Sequence, residues 1–217
     1  MQIHDFQNEN SVLNTFLGEL RDTHIQKDSM RFRRNIERIG EILAYEVSKT
    51  LDYKKQTVTT PLGKKDLQLP EDDLVLCSVL RAGLPLHQGL LNYFDTAENA
   101  FISAYRHHPD GGDEFDVIVN YFAAPSLEGK TLVLTDPMLA TGKTLENVYN
   151  AVRKNGEPSQ IHIVSIIGSE EGVDYIKAIF PENTHLWIAA IDATLNPKGY
   201  IIPGLGDAGD LAFGLKL

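Results

Sequence analysis

The segment from Thr131 to Thr144 constrains this chain more than any other stretch. A β-branched and aliphatic run, Thr131-Leu132-Val133-Leu134-Thr135, ends on the acid Asp136. Pro137, Met138, Leu139, Ala140, Thr141 and Gly142 form a short loop, and a helix is expected to open at Thr144. Strand, loop and helix in that order aim the unsatisfied N–H groups of the helix start into the loop, which makes an anion site. An acid at the C-terminal end of a strand stands where open α/β sheets take their ligands. Together they suit a sugar phosphate. Gly142-Lys143-Thr144 also looks like the tail of a nucleotide-binding P-loop, but that motif needs a glycine five residues before Gly142. Position 137 is proline, with a fixed φ and no N–H to offer, so the ATPase and GTPase readings fail.

From Leu74 onward, short apolar runs alternate with helical patterns, as a doubly wound parallel sheet requires. Strands are expected at Leu74–Val79, Ala100–Tyr105, Thr131–Thr135, Ile161–Ile167 and Leu186–Ile191. Helices are expected at Leu84–Tyr93, Thr144–Asn155 and Glu170–Phe180. In the second of these Leu145, Val148, Tyr149 and Val152 share one face, and Gly156 follows as a stop. Asp110-Gly111-Gly112-Asp113 between two apolar runs predicts a β-hairpin arm. The first quarter reads as helical. Ser29 is the expected cap of a helix reaching Leu51, with Ile36, Ile39, Leu43, Val47 and Leu51 near helical spacing. Tyr53–Leu69, with a Gly63-Lys64-Lys65 turn, reads as short strands or an arm. No repeat, low-complexity tract or linker interrupts residues 1–217, so a single domain is expected.

The 217 residues are enough to bury about 70% of the surface the unfolded chain exposes. A net charge of −10 argues against nucleic acid or an anionic membrane as partner, since both call for a basic face. It also means that a polyanionic substrate needs locally placed cations, for which Arg81, Arg106 and the helix start are candidates. Arg31, Arg33, Arg34 and Arg38 are interleaved with Glu37, Glu41 and Glu46, the pattern of a solvated or subunit-facing surface. Cys77 is the single cysteine, inside an apolar strand, so no intramolecular disulfide forms and a buried hydrophobe is expected. The opening Met1-Gln2-Ile3-His4-Asp5-Phe6 lacks a basic segment and an apolar stretch, and no run is long enough to span a bilayer. A cytoplasmic protein is expected.

Two further segments join the first. Leu74–Leu80 runs into Arg81-Ala82-Gly83. Near the C-terminus stands Gly199-Tyr200-Ile201-Ile202-Pro203-Gly204-Leu205-Gly206-Asp207-Ala208-Gly209-Asp210. In this order the three segments resemble the uracil phosphoribosyltransferase family, over about Leu74 to Gly214. The resemblance implies an α/β type I phosphoribosyltransferase fold: a central parallel sheet flanked by helices, with a β-hairpin arm and a C-terminal hood. It implies transfer of a phosphoribosyl group from phosphoribosyl pyrophosphate (PRPP) to N1 of uracil, giving UMP.

By the same resemblance, Asp136, Arg81 and Asp207 are the catalytic candidates. Pro137, Met138, Leu139, Ala140, Thr141, Gly142, Lys143 and Thr144 bind PRPP, the last four cradling its 5′-phosphate, and Asp136 meets the ribose hydroxyls. Arg81 and Arg106 face pyrophosphate, while Asp207 faces the pyrophosphate or its metal. The main chains of Ile201, Gly206 and Ala208, with Asp207, read uracil. Lys143 replaces an expected small residue, and its side chain is expected to point to solvent. Ala123-Ala124 stand where the family carries an arm lysine. Asp136-Pro137 lacks the paired acids of related folds, so no protein metal site is expected and Mg2+ is carried mainly by pyrophosphate. The adjacent His107 and His108 point to opposite faces of a strand and make a poor chelate. A homodimer or higher oligomer is implied, with GTP as a candidate effector. The competing readings are a phosphoribosyltransferase for another base, a pyrimidine-sensing RNA-binding regulator, and an assembly protein without catalysis.

Overall fold

Alternate residues of the central strands feed two separate cores, one on each face of a sheet. The computed structural model describes residues 1–71, 73–107 and 116–216, with backbone alone along 104–107 and 116–120. In chain order the elements are β1 (Gln2–Asp5), α1 (Leu13–Arg21), α2 (Ser29–Ser48), β2 (Tyr53–Thr60), β3 (Gly63–Pro70), β4 (Leu74–Leu80) and α3 (Gly83–Leu91). Then come β5 (Glu98–His107), β6 (Asp116–Ala123), β7 (Thr131–Thr135), β8 (Met138–Leu139), α4 (Lys143–Val152), a 3-10 turn at Arg153–Asn155, and β9 (Gln160–Ser169). The chain continues through α5 (Glu170–Ile179), β10 (His185–Asp192), β11 (Thr194–Leu195), β12 (Ile201–Ile202) and α6 (Ala208–Phe213).

Among the described residues the main sheet runs β1-β10-β9-β7-β4-β5-β6, with β8 beside β9. Its neighbours are parallel except β5 and β6, which pair antiparallel as the expected arm requires; residues 108–115, with His108 and the turn expected at Asp110–Asp113, lie outside the described residues. On β4, Leu74 and Leu76 pack under α1, α2, α3 and α6, whereas Val75, Cys77 and Val79 pack under α4 and α5. This two-faced burial is why the strands read as continuous apolar runs rather than alternating ones. Burial pushes the Cys77 thiol up to about 12, which makes it an inert core group.

The five expected strands and three expected helices of the sheet region all form, with ends that differ by a few residues. Several local expectations need correction. Asp28, not Ser29, caps α2: its extended backbone lets the carboxylate accept from Met30 N and Arg31 N. The helix also stops at Ser48, short of Leu51. β2 and β3 turn at Pro61-Leu62 rather than at Gly63-Lys64-Lys65, because Thr60 and Gly63 are paired across the ladder. The N-terminal quarter is helical in α1 and α2, but it opens with β1, parallel to β10 at the sheet edge. The helix expected to open at Thr144 begins at Lys143.

The arginines of α2 are engaged within the chain. Arg34 pairs with Glu37 at 2.6 Å, Arg31 with Glu19 at 3.2 Å, and Arg33 donates to the Ala212 carbonyl at 2.6 Å. Among the described residues no helix is long and apolar enough to cross a membrane.

At the opposite end of the sheet from the strand C-termini, Trp187 Nε1 donates to His162 Nδ1 at 3.0 Å, and His4 and His185 stand close by. Burial and the neighbouring His185 and His4 hold His162 down to about 3. The unfolded chain binds this proton near pH 6.5 and the folded chain does not. Stability is therefore full above that range and falls as pH drops toward 3. His162 alone accounts for about 2 kcal/mol between pH 8 and pH 5. Thermal melts across that range should show a falling Tm. His162→Gln, which keeps an acceptor for Trp187, should flatten the dependence.

Candidate active site

The order of the strands locates the crevice. From β4 the chain passes through α3 to β5 on one side, and from β7 through α4 to β9 on the other. β4 and β7 are neighbours, with Ser78 opposite Thr135. The connections diverge between them, and ligands of open α/β sheets bind at such a point beyond the strand C-termini. Arg81 leaves β4 and Asp136 leaves β7, so the two expected groups flank the crevice. The start of α3 closes up beneath it. A side chain at Gly83 would meet Ser78 Oγ at 2.7 Å and the Thr135 carbonyl at 2.9 Å.

The concavity expected to take phosphate is shaped largely by backbone. Asp136, Met138, Leu139, Ala140, Thr141, Gly142, Thr144 and Leu145 line one concavity at the start of α4. Buried Pro137 works from behind: its carbonyl accepts from Ile166 N and Ile167 N, both at 3.1 Å, and pins the loop to β9. Asp136 Oδ1 accepts from Met138 N at 3.2 Å, and the Asp136 carbonyl accepts from Ser165 Oγ at 2.7 Å. The carboxylate is thereby oriented by its own loop. Gly142 caps the helix with φ +78, and no side-chain hydrogen bond closes that end. The left-handed turn favours glycine and leaves the helix start facing the concavity. The Lys143 side chain is exposed and does not line the cradle, in keeping with the solvent-facing expectation.

A second layer holds the loop from below. Ser169 Oγ donates to the Ala140 carbonyl at 2.6 Å and accepts from Gly172 N at 2.9 Å. This contact admits no side chain at Gly172, where a Cβ would stand 2.0 Å from the Ala140 oxygen. Glu146 in the first turn of α4 would oppose a bound anion, and Tyr175 OH donates to its Oε2 at 2.6 Å.

The third expected segment folds over the crevice. β11 and β12 pair, Gly204 and Gly206 take φ of +60 and +94, and α6 starts at Ala208. Ile201 and Ala208 are buried. Asp207 caps α6, accepting from Asp210 N at 2.9 Å, and pairs with Lys216 at 3.3 Å. Arg81 donates to Asp210 Oδ1 at 3.3 Å and to the Gly214 carbonyl at 3.1 Å. So the structure joins Arg81 to the hood, and it adds Asp210, Gly214 and Lys216, which sequence reasoning did not single out. Asp210 and Gly214 lie in or beside the motif already noted; Lys216 carried no local signal. Arg106 falls on β5 opposite Val117, and its side chain lies outside the described part of the structure.

A hypoxanthine phosphoribosyltransferase from Staphylococcus aureus shares this fold with a TM-score of 0.50, over 87% of this chain and 84% of that one, at 16% identity. The AQ2163 protein from Aquifex aeolicus superimposes over the full length of both chains with a TM-score of 0.87 at 29% identity. The fold is thus that of the type I phosphoribosyltransferases. A family model described as uracil phosphoribosyltransferase matches residues 7–215. Proteins named uracil phosphoribosyltransferase are 54% identical over 209 residues in Porphyromonas gingivalis, covering 96% of both chains, and 40% identical over 201 residues in Pyrococcus furiosus, covering 91% of this chain and 84% of that one. The chain belongs to the uracil phosphoribosyltransferase family.

Proposed function

We propose that the chain transfers the 5-phosphoribosyl group from PRPP to N1 of uracil, giving UMP and pyrophosphate in pyrimidine salvage, as one domain spanning residues 1–217. The observation that carries this reading is the meeting of Arg81 with the Asp207–Asp210 hood beside the β4–β7 crevice that holds the phosphate cradle. Family membership supports the same chemistry.

In this mechanism the start of α4, with Thr141, Gly142 and Thr144, holds the 5′-phosphate through N–H and hydroxyl groups. Asp136 accepts from the ribose hydroxyls and steadies the sugar while positive charge develops at its anomeric carbon. Arg81 neutralises the departing pyrophosphate, which requires it to exchange Asp210 for phosphate oxygens. Arg106, on the arm, assists at the same pyrophosphate. Main-chain groups of Ile201, Gly206 and Ala208 offer a fixed donor and acceptor pattern for uracil. Cytosine reverses that pattern and leaves buried groups unpaired. Most of the rate then comes from positioning and fixed electrostatics.

Magnesium suits this arrangement as part of the substrate. Among the described residues no three His, Cys, Asp or Glu side chains gather into a metal cage, and Mg2+ favours phosphate and water ligands with one or two carboxylates. Bound with the substrate it would supply charge neutralisation for the leaving pyrophosphate, and Asp207 would be the acid to hold it. A homo-oligomer belongs to the same reading. β2 and β3 form a hairpin exposed along nearly its whole length, and such a pair is marginal until it packs on something. Cytoplasmic residence fits the lone, buried Cys77.

The test is UMP formation with uracil, PRPP and Mg2+, beside cytosine, hypoxanthine and xanthine, each with and without GTP. Turnover with uracil alone is expected. Turnover with a purine would keep the fold and remove the assigned specificity. Joining the sugar to N1 releases the N1 proton of uracil, and Asp207 is the candidate acceptor for it; an Asp207→Asn enzyme should then show an altered pH profile, and unchanged turnover across pH would eliminate that role.

A further inference from the structure

A half-buried ion pair outside all three motifs grips the hood. Arg21 ends α1, and Asp192 ends β10. Arg21 Nη1 and Nη2 donate to the two carboxylate oxygens of Asp192 at 2.8 and 2.9 Å. The Arg21 side chain is 23% exposed and that of Asp192 8%. Both partners also bind the same hood residue. Arg21 Nη1 donates to the Gly204 carbonyl at 3.0 Å, and Gly204 N donates to Asp192 Oδ2 at 3.1 Å. Five residues along from Arg21, Gln26 Nε2 donates to the Leu205 carbonyl at 3.2 Å and to the Leu20 carbonyl at 2.8 Å. The end of α1 and the turn that follows it thus hold two consecutive hood residues by their main-chain atoms. Gly204 lies three residues after Ile201 and two before Gly206.

We infer that Arg21 and Asp192 are positioning residues for base recognition: they fix the height of the Ile201–Ala208 backbone over the crevice and so set affinity for the pyrimidine ring. The inference rests on the uracil-reading role of the hood given above. A buried pair of this kind adds little net stability over an apolar substitute, because desolvation offsets the attraction. What it adds is geometry. A guanidinium fork locked on a carboxylate has one orientation, and its remaining directions meet the backbone at one place. A backbone reader needs that constraint, since main-chain groups have no side-chain freedom with which to correct a displaced loop. Lysine at position 21 keeps the charge but cannot hold two carboxylate oxygens and a carbonyl in one plane.

Calorimetric titration of UMP and of ribose 5-phosphate into the wild type, Arg21→Lys and Gln26→Ala tests this. Both ligands occupy the phosphate cradle, and UMP alone presents a base to the hood. Arg21→Lys is expected to weaken UMP about tenfold and Gln26→Ala by a smaller factor, with ribose 5-phosphate within about twofold of wild type. Steady-state kinetics should show the same split, a raised KM for uracil beside an unchanged KM for PRPP. Equal weakening of both ligands would reduce the pair to a structural role and overturn the inference, as would unchanged UMP affinity in both variants. A wild type that bound UMP no more tightly than ribose 5-phosphate would fail earlier, at the base-reading role of the hood itself.

Discussion

Arg81→Ala should lower kcat/KM for PRPP by about 100-fold, the loss typical of one positioned transition-state donor. The guanidinium follows β4 beside the crevice and meets the hood there. Its structural partners are few and exposed: Asp210 at 3.3 Å and the Gly214 carbonyl, with the Arg81 side chain 40% exposed. Exposed pairs of this kind contribute about 0–1 kcal/mol. The variant should therefore melt close to wild type while turnover collapses, and the uracil KM should move less than the PRPP KM. A large drop in Tm with proportionate loss of activity would instead make Arg81 a strut of the hood.

Gly172→Ala should damage the enzyme from behind. The new methyl would press on the Ala140 carbonyl and break the Ser169 bridge between Ala140 and Gly172. Overpacking usually costs about 1–3 kcal/mol, and a Cβ placed 2.0 Å from a backbone oxygen belongs at the upper end. For a chain of this size a cost of about 3 kcal/mol corresponds to about 6–12 °C in Tm. Relief comes when the Ala140–Gly142 loop lifts, which displaces the start of α4. The PRPP KM should rise about tenfold or more, because small misplacements of a binding group are costly. Scanning calorimetry with PRPP kinetics on the one variant checks both effects.

The sheet, its crossover helices and the loop after β7 were legible because each is a local pattern. The run Thr131–Thr135 is buried on both faces, so every residue is apolar or pairs within the ladder, and it is recognisable without its neighbours. Short elements were harder to see. β1 has four residues, largely exposed, and only its parallel alignment with β10 makes it a strand. α6 has six residues, and its cap Asp207 was read for substrate chemistry alone. The choice between Asp28 and Ser29 as cap turned on backbone geometry that composition does not report.

The contacts that hold the site together were the least legible. Arg21 and Asp192 are 171 positions apart, and nothing in either neighbourhood marks them as partners. Ser169 with Ala140, and Tyr175 with Glu146, each span 29 residues, from the start of one βα unit to the start of the next. Such pairs become visible only when the sheet brings successive strand ends side by side. The candidate site groups carry motif chemistry that a sequence displays; their long-range partners carry none.

The most direct test of the account is a crystal structure of the enzyme with UMP bound. The phosphate is expected at the start of α4, within reach of Thr141, Gly142 and Thr144, with the ribose hydroxyls on Asp136 and the base edge on the main chain of Ile201, Gly206 and Ala208. A phosphate held elsewhere, or a base turned away from the hood, would contradict it.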